Sequence, residues 1–220
     1  FDGEANMTQP CPDSLLAALA DAPVVAIQRG ATPETVLPVG RALAEAGVRF
    51  VEVPLNSPSP FESIRRLAKA ENGGVWVGAG TVVRAEDVDA VAEAGGRYVL
   101  APNTDPGVIR RTKELGLVSI PGFLTPSEAF AALDAGADAL KLFPAARLGA
   151  GYIRDLRAVL PAPILAVGGI NADNLREFLQ NGACAAGVGS CLYRPGDPVA
   201  DIAERARGLC ATATQFRRQS

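Results

Sequence analysis

A lysine sits in the middle of the apolar run Ala139-Leu140-Lys141-Leu142-Phe143-Pro144. A buried ammonium without a partner is costly, and such a group usually lowers its pKa and sheds its proton. The chain has three lysines against eighteen arginines. Lys69 and Lys113 fall in polar, helix-like segments and read as surface charges, so Lys141 alone lies inside an apolar strand pattern. Two readings stand: an amine paired with a carboxylate for structure, or a neutral amine available as a nucleophile. A carboxylate of the same character lies upstream. Glu52, within Val51-Glu52-Val53-Pro54-Leu55-Asn56-Ser57, is flanked by valines. It could be a salt-bridge partner for Lys141 or a general base, and both readings require the two side chains to point into one interior.

Composition narrows the chemistry. There is no histidine. That removes Ser-His-Asp hydrolysis, Cys-His proteolysis and His-ligated metal sites, and leaves proton transfer to Glu, Asp, Lys, Tyr, Cys or water. Cys11, Cys184, Cys191 and Cys210 form no C-x-x-C pair and read as free, buried thiols. With 48% hydrophobic and 20% charged residues the chain can bury a sizeable core. Its net charge of −3, with both signs mixed, points to neither nucleic acid nor a membrane surface. No apolar run approaches the roughly 18 residues of a membrane span. Residues 1–6 precede Met7 and read as a tag remnant, leaving 7–220 as one domain. No secretory signal pattern follows, so the cytoplasm is the expected location.

The elements that must position Lys141 and Glu52 form a regular series. A short helix at 14–20 comes first. Strands are then expected at 24–27, 50–55, 75–78, 98–101, 118–121, 139–143, 164–167 and 185–188. Each leads into a helical pattern, at 32–46, 60–70, 85–94, 106–115, 126–135, 152–160, 172–180 and 198–210. Thr32 reads as the N-cap of the first of these, with Pro33 at its first position. Several helices end on Ala-Gly, as at Ala46-Gly47, Ala94-Gly95 and Ala135-Gly136. Eight short apolar strands alternating with helices predict parallel strands covered on both faces, closed as a compact single-domain (β/α)8 TIM barrel with a short N-terminal helix.

In such a barrel the site forms at the C-terminal ends of the strands. Strand one ends in Gln28-Arg29-Gly30, where Arg29 could hold a carboxylate or phosphate bidentately or be a plain surface charge. Strand three ends in Gly78-Ala79-Gly80-Thr81. Its small residues read as room for close backbone approach to a substrate, with the Thr81 hydroxyl as donor or acceptor. Asn103 after strand four and Pro121 at the end of strand five could line a pocket. Strands seven and eight end in Gly168-Gly169 and Gly189-Ser190. Glycine-rich ends at those two strands are the usual phosphate site of this barrel.

Together these pieces resemble the pyruvate-dependent class I aldolases that cleave 2-keto-3-deoxy-6-phospho sugar acids. The matching segments are V-E-V-P-L-N-S with Glu52, G-A-G-T-V from Gly78, Pro121-Gly122, L-K-L-F-P with Lys141 and Phe143, Gly168-Gly169 and Gly189-Ser190. The similarity runs from about Val24 to Tyr193. Phosphogluconate-cleaving members usually read E-V-x-L-R-T, whereas Asn56 occupies the arginine position here. The galactonate branch reads E-[IV]-P-L-N-S and carries an arginine-glycine pair after strand one, as in Arg29-Gly30. The resemblance therefore implies a galactonate-branch enzyme in which Arg29 takes over the contact with the pyruvyl carboxylate. Gln28 is a departure, since an aliphatic residue is more familiar there.

The same resemblance implies a Schiff base on Lys141, Glu52 as base and then acid, and no cofactor. It also implies pyruvate and glyceraldehyde 3-phosphate as products of a phosphorylated keto-deoxy sugar acid, and a homotrimer. Three other readings remain: the same cleavage of the C4 epimer, a phosphosugar isomerase or epimerase with Glu52 as base and Lys141 electrostatic, and a non-catalytic phosphate-ligand binder.

Overall fold

The computed structural model describes residues 12–70 and 74–217. Residues 1–6 and Cys11 lie outside them. The strands are β1 (Val24–Ile27), β2 (Phe50–Pro54), β3 (Trp76–Gly80), β4 (Tyr98–Leu100), β5 (Val118–Ile120), β6 (Gly122–Phe123), β7 (Leu140–Leu142), β8 (Ile164–Val167) and β9 (Ala185–Val188). The helices are α1 (Pro12–Asp21), α2 (Val36–Glu45), α3 (Pro60–Lys69), α4 (Ala85–Glu93), α5 (Pro106–Glu114), α6 (Pro126–Asp134), α7 (Ala145–Leu148), α8 (Ala150–Arg157), α9 (Leu175–Gln180) and α10 (Val199–Arg217).

All pairings are parallel, in the order β5-β4-β3-β2-β1-β9-β8-β7-β6. The two ends of that order are consecutive pieces of one strand. Pro121 lacks an N–H and interrupts the ladder between them. The sheet thus closes into the expected eight-staved barrel.

Alternation of side chains sorts the residues into two cores. One face of each strand meets the surrounding helices: Ala26, Val51, Val53, Val99, Leu140, Ala166 and Val188 belong to that outer core. The other face fills the barrel with Val25, Ile27, Phe50, Tyr98, Leu100, Ile120, Ala139, Leu165 and Val167. Helix α1 plugs the N-terminal end, where Leu15 and Leu19 join the barrel interior. Burying each of these leucines contributes about 1.5–3 kcal/mol. The lower interior is aromatic. Phe50 stacks on Trp76 at 6.3 Å between centroids, and Tyr98 lies 6.1 Å from Phe50. The Tyr98 hydroxyl donates to the Val51 carbonyl at 2.7 Å.

The helix ends follow the Ala-Gly pattern. At the end of α2, Gly47 has φ of 97° and donates to the Ala44 carbonyl, while Val48 donates to that of Leu43. This pair of bonds is a Schellman motif. The start of α2 differs from expectation. The Thr32 carbonyl accepts from Thr35 and Val36, but its hydroxyl caps no N–H, and Thr35 Oγ1 instead accepts the Thr32 N–H at 3.0 Å. The single turn α7 is an element that sequence periodicity does not reveal. Lys113 is also more than a surface charge, since it pairs with Asp138 at 2.5 Å and ties α5 to the segment entering β7.

Gln28 follows the last residue of β1 and is fully buried. Neither its amide nitrogen nor its carbonyl oxygen has a hydrogen-bond partner among the described residues. Replacing it with an apolar residue of similar size removes an unmet desolvation penalty of about 1–3 kcal/mol. Gln28→Leu is therefore expected to raise the midpoint of urea unfolding without changing the slope. A lower midpoint would show that the amide is satisfied.

Candidate active site

Glu52 is the middle residue of β2, and Lys141 the middle residue of β7. Three staves separate β2 from β7 in either direction around the barrel, so the two strands face each other. Glu52 shares the inward parity of Phe50, and Lys141 that of Ala139. Both side chains therefore enter the interior from opposite walls, above the aromatic layer. Glu52 is 1% exposed and Lys141 5%.

They do not form a salt bridge with each other. The Glu52 Oε2 has no hydrogen-bond partner among the described residues. Burial pushes the Glu52 carboxyl above its usual range, against the opposing pull of the Lys141 and Arg29 charges. Burial likewise pushes Lys141 below the ordinary ammonium value. The Glu52 charge opposes that shift and the Arg29 charge adds to it. The Lys141 Nζ lies 5.2 Å from the centre of the Phe143 ring. The Lys141 N–H donates to the Pro121 carbonyl at 2.8 Å, which places this strand against the interruption between β5 and β6.

Above these groups lies a pocket of about 310 Å³. Of the residues expected at the site, Arg29, Glu52, Thr81, Lys141, Phe143, Gly168, Gly169, Gly189 and Ser190 line it. Two do not. Asn103 is exposed and its neighbour Pro102 faces the pocket instead. Pro121 is buried behind the wall, where its carbonyl holds Lys141. Ile27, Val167, Ile170, Asn171, Gly187 and Cys191 complete the lining. Inward strand parity could have found Ile27, Val167 and Gly187, each the next inward residue after Val25, Leu165 and Ala185.

The V-P-L-N-S segment positions the end of strand one. Arg29 Nη1 donates to Asn56 Oδ1 at 2.6 Å, and the Gly30 N–H donates to Ser57 Oγ at 2.9 Å. The guanidinium is thereby aimed at the pocket rather than left to roam. Thr81 has φ of 58°, a conformation unfavourable for a β-branched residue and of a kind concentrated at functional sites. On the opposite wall Gly168 and Gly169 have φ of 97° and 79°. A Cβ at Gly169 would lie 2.7 Å from that of Ala146 in α7, so that turn packs directly on the glycine pair.

The small residues of β3 serve a purpose other than the expected one. A Cβ at Gly78 would lie 2.4 Å from the Tyr98 ring, and one at Gly80 would lie 1.6 Å from Glu52 Oε1. They make room inside the protein for the tyrosine and the carboxylate, not for a ligand.

The arrangement puts a buried amine and a buried carboxylate on facing walls of one pocket, groups chemically able to act as a nucleophile and as a proton carrier. Residues 15–201 match the family model described as "Aldolase: KDPG and KHG aldolase". The chain belongs to this aldolase family. It is therefore a carbon–carbon lyase. The probable 2-dehydro-3-deoxy-6-phosphogalactonate aldolase of Rhizobium meliloti (strain 1021) is 45% identical over 186 residues, covering 84% of this chain and 88% of that protein. The 2-dehydro-3-deoxy-6-phosphogalactonate aldolase of Escherichia coli (strain K12) is 44% identical over 186 residues, covering 84% and 91%. A solved structure described as native KDPGal superposes with a TM-score of 0.87 at 41% identity, covering 89% of this chain and 96% of that one.

The contact between Gly80 and Glu52 makes a test of the carboxylate's placement. A displacement of about 1 Å costs on the order of a hundredfold in rate when it moves a catalytic group. Gly80→Ala is expected to lower aldolase kcat by about that factor while circular dichroism stays unchanged. Retention of the full rate would contradict the placement of Glu52.

Proposed function

We propose that this protein reversibly cleaves 2-dehydro-3-deoxy-6-phosphogalactonate to pyruvate and glyceraldehyde 3-phosphate through a Schiff base on Lys141. The observation that carries the reading is the pair of buried groups on opposite walls of one pocket, Lys141 and Glu52, left unpaired with each other. A structural ion pair would bring the two charges into contact; a reacting carbon placed between them requires a gap.

Neutral Lys141 attacks the C2 ketone and gives a carbinolamine, whose hydroxyl takes a proton from the Glu52 carboxyl and leaves as water, forming a protonated Schiff base and a Glu52 carboxylate. The iminium then serves as the electron sink. Glu52, directly or through a water, takes the C4 hydroxyl proton. The C3–C4 bond breaks, its electrons move into the iminium, and glyceraldehyde 3-phosphate leaves a pyruvate enamine on Lys141. Glu52 returns a proton to C3. Water hydrolyses the resulting iminium, releasing pyruvate and the free amine. A carboxylate held above its usual pKa range suits both proton transfers.

Arg29, steadied by Asn56, holds the pyruvyl carboxylate. Gly168, Gly169, Gly189 and Ser190 receive the phosphate at the other end of the pocket. Thr81 and Phe143 flank the reacting carbons. The Arg29–Asn56 pair and the names of the two curated relatives support the galactonate substrate over its C4 epimer. No helix among the described residues is long and apolar enough to cross a membrane.

The working unit is a homotrimer. Leu124, Phe130 and Leu148 are large apolar side chains left 40–45% exposed just beyond β6, on α6 and on α7, and neighbouring copies would cover them. Sedimentation equilibrium giving a stoichiometry other than three contradicts this assembly.

Steady-state cleavage of the two C4 epimers, followed by pyruvate release, decides the substrate. The galactonate epimer is expected to have the higher kcat/KM. Equal or reversed preference would return the gluconate substrate to first place, and isomerisation without pyruvate release would displace the aldolase reading altogether.

A further inference from the structure

The glycine loops beyond β8 and β9 hold their carbonyls in an unusual way. The Gly168 carbonyl accepts the Ala146 N–H at 3.0 Å. The Gly169 carbonyl accepts Asn174 Nδ2 at 2.9 Å. On the other loop, the Gly189 carbonyl accepts the N–H groups of Leu192 and Tyr193 at 2.8 and 2.9 Å. The Ser190 carbonyl accepts Arg194 Nε at 2.8 Å. Each peptide plane on the rim is therefore anchored by its oxygen.

In a trans peptide the N–H points opposite to the C=O. Anchoring these four carbonyls turns the N–H groups of Gly169, Ile170, Ser190 and Cys191 the other way. None of these four N–H groups donates to another residue among those described. All four residues line the pocket. N–H groups that donate to no other residue, on two adjacent loops lining the same pocket, are suited to an anion with several oxygens.

Two of the anchors are side chains, Arg194 and Asn174, and of these Asn174 makes two side-chain bonds at once. Its Nδ2 donates to the Gly169 carbonyl, and its Oδ1 accepts the Asn171 N–H at 2.9 Å. Only one orientation of the amide satisfies both. The Asn171 side chain returns the favour: its Oδ1 accepts the N–H of Asp173 at 2.9 Å and of Asn174 at 3.2 Å. The loop between β8 and α9 is thus clamped at both ends of the Gly169–Asn171 segment by one residue that does not line the pocket.

We propose that Asn174 is a positioning residue for the phosphate group: it fixes the Gly169–Ile170 peptide so that the Ile170 N–H faces the anion. The inference rests on the assignment of this end of the pocket to phosphate. Asn174 bonds neither Lys141 nor Glu52, so its effect is expected on phosphorylated partners.

The test compares aldol addition of pyruvate to glyceraldehyde 3-phosphate and to unphosphorylated glyceraldehyde, for the natural chain and Asn174→Ala. Exchange of pyruvate methyl protons with deuterated water serves as a control for the lysine and carboxylate. Asn174→Ala is expected to lose roughly tenfold in kcat/KM with the phosphorylated aldehyde, mainly through KM. The unphosphorylated aldehyde and the proton exchange are expected to be unaffected. Should the alanine variant fold poorly, Asn174→Ser keeps an acceptor near the Asn171 N–H but cannot reach the Gly169 carbonyl, and it should show the same selective loss. An undiminished preference for the phosphorylated aldehyde in a folded variant overturns the positioning role alone. A natural chain with no such preference overturns the phosphate assignment and the positioning role with it. An equal loss on both aldehydes, or lost proton exchange, marks Asn174 as merely structural and overturns the proposal.

Discussion

The structure depends on one unfavourable arrangement: an amine and a carboxylate buried in the same barrel without touching. Removing an ion from water costs several kcal/mol even after the protein relaxes. A direct ion pair would recover part of that cost but would consume both groups. Here the carboxyl moves up and the ammonium down, each driven first by burial. Both shifts favour neutral forms and narrow the gap between the two groups, as the roles proposed for them require.

The scaffold is shaped to hold that arrangement. Stacked Phe50 and Trp76, with Tyr98 beside them, fill the barrel below the polar pair, and α1 seals its end. Gly80 clears the space that Glu52 occupies, and the Pro121 carbonyl fixes the backbone of Lys141. Strands β2 and β7 contribute one charged residue each, Glu52 and Lys141, to the barrel interior. Their opposition around the ring sets a gap that loops alone could not maintain.

Much of this is legible in the sequence because burial and alternation act on strands simply. A lysine between leucines and a glutamate between valines can be read as inward-facing once the barrel is recognised, and strands 24–27, 164–167 and 185–188 match the observed bounds. What escapes the sequence is tertiary. The glycines of β3 look like ligand space because nothing local reveals that Tyr98 and Glu52 fill it. A single turn such as α7 has too few residues to show a helical period, although it packs against Gly168 and Gly169. Pro102 rather than Asn103 faces the pocket because the backbone, not polarity, decides which residue of the loop points inward. Asn174 reads as an ordinary helix-start residue until its two bonds are seen.

Trapping of the protein with pyruvate and borohydride, read by intact mass and peptide mapping across a pH series, bears most directly on the central claim. The account predicts a single adduct on Lys141, none on Lys69 or Lys113, and a trapping rate that levels off below pH 10.5, the ordinary lysine value. A folded protein that gives no adduct, or one modified elsewhere than Lys141, would contradict it and leave Lys141 an electrostatic residue.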